Sequence, residues 1–139
     1  MNLKKITLFS FFSLFLVSAQ AADLEFMNRP YKHELFASLI AGQTFTLKYD
    51  PQRLGNCTSM NRMYQSFTVA YYRFDNGPIE NTESFNAVRE STVTISVPKD
   101  VQSLEIWFKN YTLASPTAAA VCESYDSDFG RNYHFEIQN

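Results

Sequence analysis

The clearest signal along the chain is an alternation of apolar and polar positions with period two. This is the pattern of strands that bury one face. Phe45-Thr46-Leu47-Lys48-Tyr49 alternates in this way, and so does Phe67-Thr68-Val69-Ala70-Tyr71-Tyr72-Arg73-Phe74. Thr92-Val93-Thr94-Ile95-Ser96-Val97 is the most regular run. Leu104-Glu105-Ile106-Trp107-Phe108 follows, and Tyr133-His134-Phe135-Glu136-Ile137 lies near the end. These runs are rich in β-branched and aromatic residues, which suit a pleated, half-buried surface. Turn residues separate them at Asp50-Pro51, Leu54-Gly55-Asn56, Asp75-Asn76-Gly77-Pro78, Pro98-Lys99-Asp100 and Phe129-Gly130. No long amphipathic helix stands out. The segment from His33 to Ile40 reads as an N-terminal strand rather than a helical turn.

Strands at this spacing predict an all-β chain folded as a single antiparallel β-sandwich. The expected core face carries Phe45, Leu47, Phe67, Val69, Val93, Ile95, Leu104, Ile106 and Phe108. Trp107 falls on the face opposite Ile106 and Phe108 if its strand is regular. An aromatic exposed on a sheet is what ligand platforms use. The alternative is that Trp107 is the core residue and its neighbours are not.

The first residues follow a different pattern. Lys4 and Lys5 precede a twelve-residue apolar run from Ile6 to Val17, and Ala19-Gln20-Ala21 supplies small residues two apart. This reads as a secretory signal peptide over residues 1–21. The run is too short for a bilayer core that needs about 20 apolar residues, so no membrane span is expected. Cleavage leaves residues 22–139 as the domain, which is 139 − 21 = 118 residues. The expected location is secreted or periplasmic. In that oxidising setting Cys57 and Cys122, the only two cysteines, are expected to form a disulfide. A pair of buried thiols is the alternative.

Composition narrows the function classes. The chain has 139 residues, 12 Lys+Arg against 14 Asp+Glu, and a net charge of −2. Without Lys4 and Lys5 the charge is 10 − 14 = −4, which argues against a nucleic-acid partner. Apolar residues at 45% and aromatics at 16% argue against disorder. Four glycines cannot build a phosphate-binding loop at the required spacing. The two histidines, His33 and His134, sit in no zinc or triad pattern. Glu105, Glu123, Asp126 and Asp128 could converge as in glycoside hydrolysis, yet nothing singles out a pair. The expectation is a monomeric, non-catalytic binding domain without a cofactor.

The densest polar constellation runs from Cys122 to Phe135, read as a loop before the last strand. Asp and Asn can bond their own backbone there, and Gly130 can take positive φ, so a self-capped loop is one reading. Asp126-x-Asp128-x-Gly130-x-Asn132 also offers oxygens at alternate positions, as Ca²⁺ prefers, which makes Asp126 and Asp128 candidate metal ligands. The pattern lacks the carboxylate at the twelfth position of a complete calcium loop.

The stretches Val97-Pro98-Lys99-Asp100, Ser103 to Asn110, Cys122 and Tyr125 to Phe135 resemble a bacterial family of small exported immunoglobulin-like domains of unknown function. Within them, Tyr125-Asp126-Ser127-Asp128-Phe129-Gly130-Arg131-Asn132-Tyr133 is similar to a signature of starch- and glycogen-binding modules. In those modules two Asn stand where this chain has Ser127 and Asp128. The resemblance implies an immunoglobulin-like sandwich with the motif at the last strand pair, and sugar binding. Trp107, Tyr125 and Tyr133 would then stack on pyranose rings, while Asp126, Asp128, Arg131 and Asn132 bond hydroxyls. For each the residues allow a plainer role: a buried Tyr133 bonding a carbonyl, Asp126 and Asn132 capping the loop, Arg131 solvated. A protein partner on the exposed sheet or loop is the second functional reading, and a cation-stabilised structural domain is the third.

Overall fold

The computed structural model describes residues 21–57, 65–86, 91–115 and 117–139. The predicted leader lies outside them except for Ala21. The described residues are strands, turns and two short 3-10 turns, with no α-helix among them. The strands are β1 (Ala22–Met27), β2 (Lys32–Phe36), β3 (Leu39–Ile40), β4 (Thr44–Tyr49), β5 (Gln65–Phe74), β6 (Glu80–Asn81), β7 (Phe85–Asn86), β8 (Ser91–Ser96), β9 (Ser103–Leu113), β10 (Ala120–Asp126) and β11 (Tyr133–Gln138).

They form two sheets. The first has the order β2-β1-β4-β8. The second is built on β9, which pairs with β5 along one side and with β10 and then β11 along the other. β3 extends the second sheet beyond β11, and β6 and β7 add short pieces to the far side of β5. The expectation of purely antiparallel pairing is corrected here, because β1–β4 and β3–β11 are parallel. After the β1–β2 hairpin the chain crosses to the second sheet as β3. It then returns beside β1, and the second reversal aligns β4 with β1.

The sheets share one apolar core. Phe26, Phe45, Leu47 and Tyr49 of the first meet Leu104, Ile106, Phe108 and Ile137 of the second. The Phe108 ring lies 4.7 Å from Phe26 and 3.9 Å from Tyr49, measured between centroids. Each fully buried apolar side chain of this size contributes about 1.5–3 kcal/mol. Trp107 points away from this core, as the period-two pattern of its strand requires.

Two expectations change with the pairing register. β5 sets Thr68 opposite Asn110, Ala70 opposite Phe108 and Phe74 opposite Leu104. Its inward residues are therefore Ser66, Thr68, Ala70, Tyr72 and Phe74, and Phe67 and Val69 belong to the outer face. The second change is that Ala120–Asp126, read as part of a loop, is a strand.

The inner end of β5 and β9 is polar. Ser66 and Thr112 share a hydrogen bond of 2.9 Å, and Thr68 donates to Asn110 Oδ1 at 2.6 Å. The segment after β4 covers this patch. Asn110 Nδ2 reaches the Leu54 carbonyl at 3.4 Å, and the Thr112 hydroxyl donates to the Cys57 carbonyl at 2.8 Å. The Cys57–Cys122 disulfide closes this cover against β10, with the two Cα atoms 5.4 Å apart. It spans 65 residues, so the chain-entropy model assigns it about 4 kcal/mol. A Cys57→Ser, Cys122→Ser double variant is expected to lose that amount in denaturant unfolding. Equal midpoints for oxidised and reduced protein would show that the bridge contributes nothing.

Candidate functional site

β10 and β11 run along the same side of β9 as two halves of one line. Asp126 stands opposite Phe108 and Tyr133 opposite Ile106. Only Trp107 lies between those two positions on β9, whereas residues 127–132, 132 − 127 + 1 = 6 of them, lie between them on the β10–β11 side of the ladder. The loop is thus a greatly enlarged bulge. Phe108 and Ile106 point into the core, so their partners Asp126 and Tyr133 do too, side by side. The loop closes at its neck, where Asn132 N–H donates to the Ser127 carbonyl at 2.8 Å and Gly130 N–H to the same oxygen at 2.9 Å. Its tip follows left-handed backbone, with φ of 43° at Asp128, 57° at Phe129 and 86° at Gly130. Glycine takes this conformation freely and Asp tolerates it, but a phenylalanine is strained by about 1–2 kcal/mol. The strained geometry holds Phe129 outward, 98% exposed.

Inside, Asp126 is the acceptor of a buried network. Its Oδ2 accepts from Arg53 Nε at 2.7 Å and from the Tyr49 hydroxyl at 3.2 Å. Its Oδ1 accepts from the Tyr31 hydroxyl at 3.1 Å and from the Tyr133 hydroxyl. Arg53 ends the 3-10 turn Pro51–Arg53, which Asp50 starts by accepting the Gln52 N–H at 2.9 Å. The guanidinium donates further to the carbonyls of Met27 at 2.8 Å and Lys32 at 2.6 Å, and to the Tyr133 hydroxyl at 3.0 Å. Its carbon lies 3.9 Å from the centre of the Tyr31 ring. Burial works against the Arg53 charge, but the hydrogen-bonded Asp126 carboxylate outweighs it and raises Arg53 above its ordinary value. Burial, and then the same carboxylate, push the Tyr49 and Tyr133 hydroxyls far above the ordinary tyrosine value. His33, packed 4.9 Å from the Tyr133 ring, is lowered by burial and next by the Arg53 charge.

The seven residues expected to touch a ligand therefore separate into four groups. Asp126 and Tyr133 belong to the interior, and their polar atoms bond protein groups. Asp128 and Arg131 pair with each other at 2.9 Å on the exposed loop. Asn132 donates to Glu105 Oε1 at 2.6 Å, and Glu105 also accepts from Arg73. Burial favours the neutral Glu105 acid, yet these two bonds win and hold it below its ordinary value. Trp107 and Tyr125 lie on the outer face of the second sheet, the face to which Glu105 also belongs. As for the calcium reading, both Asp126 oxygens accept hydrogen bonds from Arg53 and tyrosines, while Asp128 pairs with Arg131. Among the described residues no cluster of three His, Cys, Asp or Glu is placed to hold a metal ion.

The outer face around Trp107 is aromatic. Tyr71 pairs across from Trp107 and Phe67 across from Tyr111. The rings stack at 5.9 Å and 13° in the first pair and at 5.5 Å and 29° in the second. Tyr125, 54% exposed, stands opposite Lys109. Lys109 Nζ lies 5.6 Å from the Tyr125 ring and 2.7 Å from Glu123. The Glu123 bond raises Lys109 above its ordinary value. A groove of about 490 Å³ runs beside Tyr71 and Tyr111, with Asn81, Glu83, Lys109 and Glu123 on its walls.

Fold and site together define a two-sheet, all-β domain with a buried Arg–Asp–Tyr network on one side of its motif and an aromatic sheet face on the other. The chain belongs to a family of unknown function, DUF6209, whose model matches residues 14–138. No curated protein and no solved structure matches it.

No local pattern in the sequence marks Arg53, Tyr31 and Tyr49 as members of this network. Arg53 stands 73 positions from Asp126 in a turn with no motif of its own. The only sequence hint was an acidic residue directly before the bulge, in need of a counter-charge.

Removing one member of a buried ion pair leaves the other uncompensated. Asp126→Asn and Arg53→Met are each expected to cost about 3–5 kcal/mol in denaturant unfolding. The double variant should cost less than their sum, whereas additive losses would mean that the two residues act independently. A second expectation concerns alkali. Tyr49 and Tyr133 keep their protons in the folded state, while the unfolded chain releases them near the ordinary value of 10.0. Their contribution is complete below that pH and is lost as pH rises above it. Tyr49→Phe with Tyr133→Phe should flatten the alkaline limb of the stability–pH curve, and an unchanged slope would refute the assignment.

Proposed function

We propose that this domain binds carbohydrate, without catalysis, on the outer face of its second sheet. The observation that carries the reading is the row of nearly parallel ring pairs, Tyr71–Trp107 and Phe67–Tyr111, with Tyr125 exposed beside them. A pyranose has faces of C–H groups that stack on flat aromatic rings, and hydroxyls around its rim. Lys109, Glu123, Asn81 and Glu83 along the adjoining groove supply charged and amide groups for those hydroxyls. A concave strip with a few converging polar groups is the usual form of a small-ligand site. The similarity of Tyr125 to Tyr133 to a glycan-module signature agrees in ligand class, although here the motif's Asp126 and Tyr133 serve the interior. The charged, apolar and small-residue order of residues 1–21 supports export, which would bring the domain to external glycans.

A glycan array probed with the purified protein is expected to give hits. Trp107→Ala and Tyr125→Ala should each weaken binding at least about tenfold, equivalent to about 1.4 kcal/mol, with the circular dichroism of the fold retained. An array without hits, or variants that bind as tightly as the parent protein, would overturn the reading.

A second reading, recognition of a protein, rests on Phe129. An apolar ring 98% exposed at the tip of a strained loop is costly to keep unless it meets a surface. Phe129→Ser would abolish capture of such a partner and leave glycan binding intact.

A further inference from the structure

β8 is the outermost strand of the first sheet, with β4 on one side and no strand of the described residues on the other. The ladder shows which of its backbone groups face outward. Just past its end, Val97 N–H donates to the Gln43 carbonyl at 2.8 Å, in register with the Ile95–Phe45 and Val93–Leu47 pairs. Bonded pairs alternate in an antiparallel ladder. Val93 and Ile95 therefore turn their N–H and C=O groups toward β4, and Thr92, Thr94 and Ser96 turn theirs to the open edge.

Proteins usually protect such an edge with charge, proline, a bulge or brevity. β8 is six residues of Ser-Thr-Val-Thr-Ile-Ser, uncharged and without proline, in unbroken register with β4. The other edges differ. β2 carries Lys32, His33 and Glu34. β10 carries Glu123 and is tied to the Pro51–Cys57 segment by the disulfide and by a bond from the Ser124 hydroxyl to the Asn56 carbonyl. β3, β6 and β7 are two residues each.

The strand also matches itself. Antiparallel pairing about a two-fold axis through Thr94 sets Thr94 opposite Thr94 of the partner subunit. It also sets Thr92 opposite Ser96 of the partner subunit and Val93 opposite Ile95 of the partner subunit. Hydroxyl meets hydroxyl on the outer face and aliphatic meets aliphatic on the inner one. A slip of one residue would set Val93 against a threonine and invert the faces. We propose that two copies of this chain pair through β8, joining two four-stranded sheets into a continuous one of 4 + 4 = 8 strands. This departs from the monomer expected from the sequence.

Sedimentation equilibrium of the purified protein should give twice the chain mass. Thr94→Lys places two ammonium groups face to face at the axis, where like charges repel, and should raise the dissociation constant at least about tenfold, equivalent to about 1.4 kcal/mol. Thr46→Lys, one strand further in on the same face, should leave the dimer intact. Amide exchange on the unsubstituted protein gives an independent reading: Thr92, Thr94 and Ser96 should be protected at high concentration and lose protection on dilution. It decides the matter if Thr94→Lys does not fold. A single-chain mass at every concentration overturns the proposal, even where an added extended peptide protects the same amides. So does a dimer that Thr94→Lys leaves unchanged.

Discussion

The pairing of Arg53 with Asp126 is the constraint around which this end of the domain is arranged. Both side chains are removed from water, which costs several kcal/mol per ion unless every remaining donor and acceptor is met. Here they are met by parts of the chain far apart in sequence: the carbonyls that close the β1–β2 hairpin, Tyr49 at the end of β4, Tyr31 in the hairpin turn, and Tyr133 at the start of β11. Apolar side chains could fill the same volume. They would not dictate direction, whereas a guanidinium with fixed donors sets where each of these segments stops. The first sheet, the cover over the polar patch and the bulged edge of the second sheet therefore share one reference point.

The motif around Asp126 shows how one strand pairing can serve two purposes. Ile106 and Phe108 commit Asp126 and Tyr133 to the interior, and Trp107 between them is committed to the outer face by the same alternation. Within the stretch that resembles a binding signature, Asp126, Asn132 and Tyr133 thus bond groups of the domain itself. The aromatic surface that they flank is the part exposed to solvent. Glu105, held by Asn132 and Arg73, joins the loop to the outer face from the other side.

The strands β4, β5, β8, β9 and β11 were legible because each has an apolar face with period two. β10 was not, since its inward side chains are Cys122, Ser124 and Asp126, and a hydrophobicity pattern cannot see a polar interior. The same cause hid the facing of β5. Ser66 and Thr68 point inward to a hydrogen-bonded patch, while Phe67 and Tyr71 point outward, so the apolar residues mark the wrong side. The pairing of Cys57 with Cys122 needed only a count. Arg53 and its tyrosines could not be found, because what joins them is proximity created by the fold and no local spacing records it.

The neck of the Ser127–Asn132 loop has a consequence for what the fold can accommodate. Two hydrogen bonds to the Ser127 carbonyl close it, and the anchoring side chains on either side, Asp126 and Tyr133, are committed to the interior. The tip therefore communicates little mechanical load to the sheets. Sequence divergence there, or a peptide spliced between Asp128 and Gly130, meets open solvent and not packed neighbours. The domain offers at that point a tolerant display position on an otherwise unforgiving scaffold.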